Sequence, residues 1–320
     1  MSNPNTAGME DIRYCYRLLL GREPDAAGQS AFARLASEGA ITPQKLAEHF
    51  LSSEEFLRIS GSLPTEIPLD GYVINVRLSD AAIGRPLMAA REWEPNVASA
   101  LVERLHAGAC FLDVGANIGY FTAMAAQLVG ETGRVIAVEP MDKNLQLIYA
   151  TVARNGFKNV DVHPFAASDV SCTVQMSTGP GSSNGEIINK ESRIRSPTFA
   201  QTRRLDELVS PDVLVDIVKF DIEGHELSAW KGAEHLLARS RPIVLTEFHP
   251  YCLRRNAGID PIEYATVLFN YGVVTVLHFD GKRSGCADSE ELMRLWEGED
   301  SALRTNGKAH LDLLVEPFIQ

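Results

Sequence analysis

The sequence predicts an α/β protein: a mostly parallel, doubly wound sheet preceded by a small all-α domain. Three observations carry this expectation. From residue 110 onward, short apolar runs alternate with helical patterns, as in a parallel sheet covered on both faces. Cys110–Thr122, CFLDVGANIGYFT, reads as strand, glycine turn and helix, the nucleotide-binding opening of such a sheet. Residues 9–57 carry apolar positions at three- and four-residue spacing and no strand-like alternation.

The 320 residues are 45% hydrophobic, enough for a large core. The domain boundary is expected at 63/64. A net charge of −12 argues against a diffuse nucleic-acid-binding surface, because phosphate contacts are made mostly by Lys and Arg. Five scattered cysteines without a CxxC pair read as free thiols in a reducing compartment. The first residues have neither a basic nor an apolar segment of a secretory leader, and no apolar run approaches a membrane span. The expected location is the cytoplasm.

In chain order, Met9–Leu20 places Ile12, Cys15, Tyr16 and Leu19 on one helical face, and Gly21–Asp25 turns the chain. Ala26–Ser37 is a second helix. Thr42-Pro43 starts a third, with Leu46, Phe50 and Leu51. Ser52–Glu55 fits a capping box for a short fourth helix with Phe56 and Leu57.

Tyr72–Leu78 alternates like a strand, and Asn96–Leu105 reads as a helix leading into the core. The further core strands are expected at Arg134–Glu139, Asn159–His163, Ile217–Asp221, Pro242–Phe248, Val273–Phe279 and His310–Val315. Helices are expected at Asn144–Asn155, Leu227–Leu237 and Pro261–Phe269. Ser177–Ser196 is a polar insert rich in Gly, Ser and Asn. Long irregular loops in compact domains are commonly functional, and a substrate lid is the expectation here.

The glycine loop narrows the ligand. A dinucleotide needs G-x-G-x-x-G for close approach of its pyrophosphate. Here Asn117 holds the middle position and Tyr120 the last. S-adenosylmethionine has no phosphate. Asp113 at the strand tip suits its ammonium, and Glu139 can accept from both ribose hydroxyls.

These stretches, with VEPMDKN, AASD, RLDEL and VKFDIEGHELSAWKGA, resemble the FkbM-type methyltransferase family from about Ile67 to Val315. The resemblance implies a Rossmann-like class I methyltransferase fold with a seven-stranded sheet. It also implies S-adenosylmethionine as donor and a hydroxyl of a sugar, glycan, glycolipid or other polyhydroxylated metabolite as acceptor, in work such as glycan biosynthesis. Carried over by position, the donor residues are Glu94, Asp113, Gly115, Asn117, Glu139, Ser168 and Asp169. Residues Tyr16–Phe56 resemble a small bacterial helical repeat similar to a phycobilisome-linker element, so residues 9–60 are a candidate docking module.

Methyl transfer to a hydroxyl must align the oxygen and remove one proton. Asp221 and Glu247 close strands that the family order makes neighbours. Together they are candidate ligands of Mg²⁺ or another hard cation, with Glu223 and His249 beside them. Without a metal, His249, or less favourably His225, is the candidate base. Arg203-Arg204 is open between an anion contact and a salt-bridged pair. Trp93 is the best stacking candidate, while Trp230 and Trp296 default to core. A donor-binding scaffold without turnover is the alternative function.

Overall fold

The structure is a computed structural model that describes residues 7–20, 22–37, 41–51, 53, 55–56, 64–178, 185–187 and 198–318. It divides into two compact units, Met1–Thr65 with Arg77–Arg85, and Glu66–Val76 with Pro86–Gln320.

The smaller unit contains α1 (Met9–Leu20), α2 (Ala26–Ser37) and α3 (Pro43–Leu51). Ile12, Tyr16, Leu20, Leu46 and Phe50 form its buried core. Tyr16 meets Phe50 edge-on at 4.9 Å and Phe32 stacks on Phe50 at 5.0 Å, geometries that suit the ring quadrupoles. Thr42 Oγ1 accepts from the Lys45 amide at 3.2 Å, so Thr42 caps α3 with Pro43 at its first position. Ser53 Oγ accepts from the Phe56 amide at 3.1 Å; Ser52, Glu54 and Leu57 of the expected fourth helix lie outside the described residues. Arg22 grips Glu55 through two parallel bonds of 2.6 and 2.8 Å, a fork that a lysine could not form.

β1 (Pro64–Pro68) and β2 (Val73–Arg77) pair in a two-stranded sheet. Then α4 (Gly84–Ala90) and α5 (Pro95–Arg104) precede the central strand β3 (Cys110–Val114). The chain continues through α6 (Tyr120–Val129), β4 (Arg134–Val138), α7 (Asp142–Asn155), β5 (Val160–His163) and β6 (Ala166–Ala167). After β7 (Thr173–Thr178), β8 (Gly185–Ile187) and β9 (Thr198–Arg203) come α8 (Leu205–Leu208), β10 (Ile217–Phe220), α9 (Glu226–Lys231) and α10 (Glu234–Ser240). β11 (Ile243–Phe248), α11 (Pro250–Cys252), a π-turn at Leu253–Ala257, α12 (Pro261–Tyr271), β12 (Gly272–Leu277), β13 (Arg283–Cys286), α13 (Ser289–Leu303) and β14 (Leu311–Pro317) complete it.

The large sheet runs β13-β12-β14-β11-β10-β3-β4-β5. Its strands β5, β4, β3, β10 and β11 are parallel, and β14 enters antiparallel between β11 and β12. This is the class I methyltransferase arrangement with one strand added. The sheet therefore has eight strands, not the expected seven. The added strand comes from a hairpin whose turn holds Asp280-Gly281, a dipeptide that favours hairpin turns, and whose β13 pairs with β12. Every residue of β3 is buried, as a strand covered on both faces requires.

Other expectations change locally. The helix expected at Leu227–Leu237 is two helices, because the chain breaks at Gly232, where a Cβ would lie 2.0 Å from the Ser168 carbonyl oxygen. The polar insert is partly strand: β8 pairs antiparallel with β7, itself paired with β9. Residues 179–184 and 188–197 lie outside the described residues. Trp230 and Trp296 are core, and the Trp296 indole donates to the Ala309 carbonyl at 2.7 Å.

Gly115 joins β3 to the loop at φ +86°, and a Cβ there would lie 1.9 Å from the Asp221 carbonyl oxygen. Backbone blocks backbone at this point, so nothing flexible can yield. Gly115→Ala is expected to cost about 2–4 kcal/mol from left-handed strain plus overpacking, read as a lower midpoint of urea denaturation with an unchanged slope.

Candidate active site

The parallel order reverses between β3 and β10, and the loops at the carboxyl ends of these strands meet there. Ligands of open α/β sheets bind at such switch points. The first loop is Gly115–Gly119, with Asn117 also left-handed at φ 51°. Glu139 follows β4 and ties this loop down: its carboxylate accepts from the Asn117 amide at 2.9 Å and the Met141 amide at 2.8 Å. Burial pushes the Glu139 carboxyl up to about 7.

Asp113 takes a different place from the one expected. It is buried and accepts from Thr122 Oγ1 at 2.6 Å, so it braces the start of α6 beneath the loop instead of offering its carboxylate to a ligand. Ser168, also buried, lies 3.0 Å from His225 Nε2 and donates to Asp169 at 3.1 Å. His225 thereby links the β10 exit loop to the segment after β6. Arg204 donates to the Asp169 carbonyl at 2.8 Å and approaches Asp206, while Arg203 covers the Phe165 ring. Both arginines are structural.

Glu226 organises the Asp221–Glu226 loop. Its carboxylate accepts from the Ile222 and Gly224 amides at 3.0 and 3.1 Å. Gly224 is at φ +94° and packs on the backbone of Cys252 and Leu253, where a Cβ would lie 2.4 Å away. Asn256 adds a bridge, donating to the Glu223 carbonyl at 2.7 Å and to Glu186 of β8 at 3.1 Å. Gly185 of the same strand lies against Met141, the residue after Glu139-Pro140. The short strand thus spans from the first loop to the turn after β11.

Lys219 was not anticipated. It is buried in β10, and its ammonium lies 2.6 Å from Asp221 Oδ2 and 4.8 Å from the Phe121 ring centre. A buried ammonium costs several kcal/mol; an aromatic face returns about 1–2. The ring alone is insufficient, and the Asp221 carboxylate at 2.6 Å supplies the rest. The nearby carboxyls of Glu94, Asp113, Glu247 and Asp312 are all pushed up, burial being the largest cause in each, Glu94 to about 8. One lysine balances one carboxylate, and burial pushes its neighbours toward the protonated form.

Glu247 faces Asp312 across the β11–β14 pair and approaches His310 Nδ1 at 3.4 Å. Its Oε2 and His249 Nδ1 are buried without a hydrogen-bond partner among the described residues. Burial and His310 push His249 down to about 4, so its ring is neutral near pH 7. A cavity of about 10 Å³ lies between Lys219, Asp221, Glu247 and Asp312, room for about one water molecule. The strand ends do bring Asp221 and Glu247 together, but the pair suits a divalent ion poorly: the Lys219 ammonium already bonds Asp221, and burial pushes the Glu247 carboxyl up. Among the described residues no three His, Cys, Asp or Glu side chains form a metal-ligating group.

Residues 113–257 match the family model of the methyltransferase FkbM domain. A second model, protein-L-isoaspartate(D-aspartate) O-methyltransferase, matches residues 30–169. A curated relative is a probable cobalt-precorrin-6B C(15)-methyltransferase (decarboxylating) of Sulfolobus acidocaldarius. It is 30% identical over 107 residues, 33% of this chain and 47% of the relative. The chain thus spans about half the length of that relative. Among solved structures, an FkbM methyltransferase from Methylobacillus flagellatus KT is 18% identical, with a TM-score of 0.36 over 83% of this chain and 55% of that one. Aeropyrum pernix fibrillarin with bound S-adenosyl-L-methionine is 15% identical, with a TM-score of 0.31 over 48% and 53%. The matched stretch includes Gly115, Glu139, Lys219, Asp221, Glu247 and His249, whereas Glu94, His310 and Asp312 come from outside it.

Glu226 gives a pH test of the second loop. Burial raises its carboxyl to about 7, above the ordinary range. Its contribution to stability is therefore fully present at pH 4 and is lost as pH rises through about 7. Glu226→Gln keeps one acceptor oxygen and cannot ionise. The melting temperature of the variant relative to the parent is expected to rise between pH 5 and pH 8, as measured by scanning calorimetry.

Proposed function

We propose that the protein transfers the methyl group of S-adenosylmethionine to a hydroxyl oxygen of a small polyhydroxylated acceptor, a sugar or a glycan unit. The observation that carries this is the Gly115–Gly119 loop tied to Glu139 at the switch point. Glu139 after the second strand is the residue suited to accept from the donor's ribose diol, and Asn117 makes the loop a poor cradle for pyrophosphate. Ser168 and Asp169 are suited to the adenine side, and the exit of β10 to the methionine end. Asp113 acts from below by holding the loop.

On the acceptor side, the acceptor oxygen forms its bond to the methyl carbon as the methyl–sulfur bond breaks, and the electron pair stays on sulfur. The proton passes to His249, whose Nδ1 is unpartnered among the described residues and neutral. Asp221, held by Lys219, lies near enough to His249 to favour the imidazolium that forms. This proton path needs no second metal-held charge, since Lys219 already supplies the cation. The net charge of −12 favours a small acceptor over a nucleic acid. Among the described residues no helix is long and apolar enough to cross a membrane.

Donor binding tests the reading. A ribose diol donates to an ionised carboxylate, so binding must deprotonate Glu139. S-adenosylhomocysteine affinity, measured by calorimetry, is expected to rise several-fold from pH 6 to pH 8. In Glu139→Gln the affinity should be weaker by about tenfold or more, since a charge-assisted bond contributes about 1.5–3 kcal/mol, and the pH dependence should flatten. A protein that binds no S-adenosylhomocysteine at any pH contradicts the proposal.

A further inference from the structure

Beyond His249, the acceptor side carries an aromatic row that none of the donor chemistry uses. Tyr251, His249, His310 and Phe279 follow one another at ring separations of 6.2, 6.0 and 5.3 Å. They come from α11, the end of β11, the start of β14 and the turn after β12. Phe279 is 48% exposed, more than a packing role requires. Such a row suits a flat ring-bearing ligand whose apolar face stacks while its hydroxyls reach polar groups.

Two cations converge on one end of the row. Arg255 lies 5.7 Å and Lys308 5.6 Å from the centre of the Tyr251 ring. Arg255 is also 3.5 Å from Glu186 of β8. Lys308 is exposed and has no carboxylate partner among the described residues. At the other end, Asp280 beside Phe279 carries its own counter-ion, Lys282, at 2.6 Å. Below the row, Lys219 is matched by Asp221. The surplus at this rim is positive on a chain whose net charge is −12, and it is placed where a substituent on a stacked ring would project.

We propose that the acceptor is a sugar bearing an anionic group, a carboxylate or a phosphate, with Lys308 and Arg255 holding that group beside Tyr251 while the ring lies against His249, the next ring of the row. This rests on the methyl-transfer reading and names its substrate class. The anion anchors one end of the sugar, and the hydroxyl that reaches His249 is then fixed by the distance along the row.

The test uses the full chain saturated with S-adenosylhomocysteine, titrated by calorimetry with glucuronate, glucose 1-phosphate and glucose. At least one of the two anionic sugars is expected to bind saturably, about tenfold or more tighter than glucose, consistent with one charge-assisted contact. Which of the two binds separates carboxylate from phosphate. Lys308→Glu should weaken that binding about tenfold or more and leave S-adenosylhomocysteine affinity unchanged; Lys308→Arg should restore it. Glucose binding as well as the anions, anion binding indifferent to Lys308→Glu, or no anionic sugar binding to donor-loaded protein would each overturn the proposal. Failure of the parent protein to bind S-adenosylhomocysteine would instead remove the methyl-transfer reading beneath it.

Discussion

The buried Lys219–Asp221 ion pair is the interaction on which the active-site architecture depends. An ammonium in the middle of a sheet is tolerated only where a carboxylate meets it at short range and the remaining surroundings are polarisable. Asp221 and the Phe121 face supply those conditions. Because Asp221 closes β10 against Gly115, the same pair fixes the exit of the strand on which the glycine loop rests. Any movement of Lys219 would therefore be felt at the donor loop.

That pair also sorts the charges around it. Glu94, Asp113, Glu247 and Asp312 converge on a region with a single cation, and burial drives their carboxyls toward the protonated form. A cluster that looks like a divalent-cation site by composition therefore carries less negative charge than its residue count suggests, and the His249 ring beside it is pushed toward the neutral form.

Much of the frame was legible in the sequence because it is written locally. Cys110–Thr122 specifies strand, turn and helix within thirteen residues, and Glu139 follows its strand directly. Asp221 and Glu247 could be paired because the strand order follows from the family resemblance. Lys219 escaped notice because IVKF reads as an apolar run; the available signal was its two-residue spacing from Asp221, which puts both on one face of a strand. Asp113 was legible as a strand-tip acid, but its partner Thr122 is nine residues on, across the glycine loop, and only the folded loop shows it facing inward. Lys308, His310 and Phe279 join His249 through β12 and β14, strands whose insertion beside β11 no local pattern reveals. The eighth strand was readable in principle from Asp280-Gly281.

The most direct measurement is a double-mutant cycle on Lys219→Met and Asp221→Asn, followed by urea denaturation. Each single variant leaves a buried polar or charged partner alone and should lose about 3–5 kcal/mol. The double variant should lose less than the sum by about 2 kcal/mol or more, the coupling of a pair in contact. Losses that simply add would contradict a structure organised around this pair.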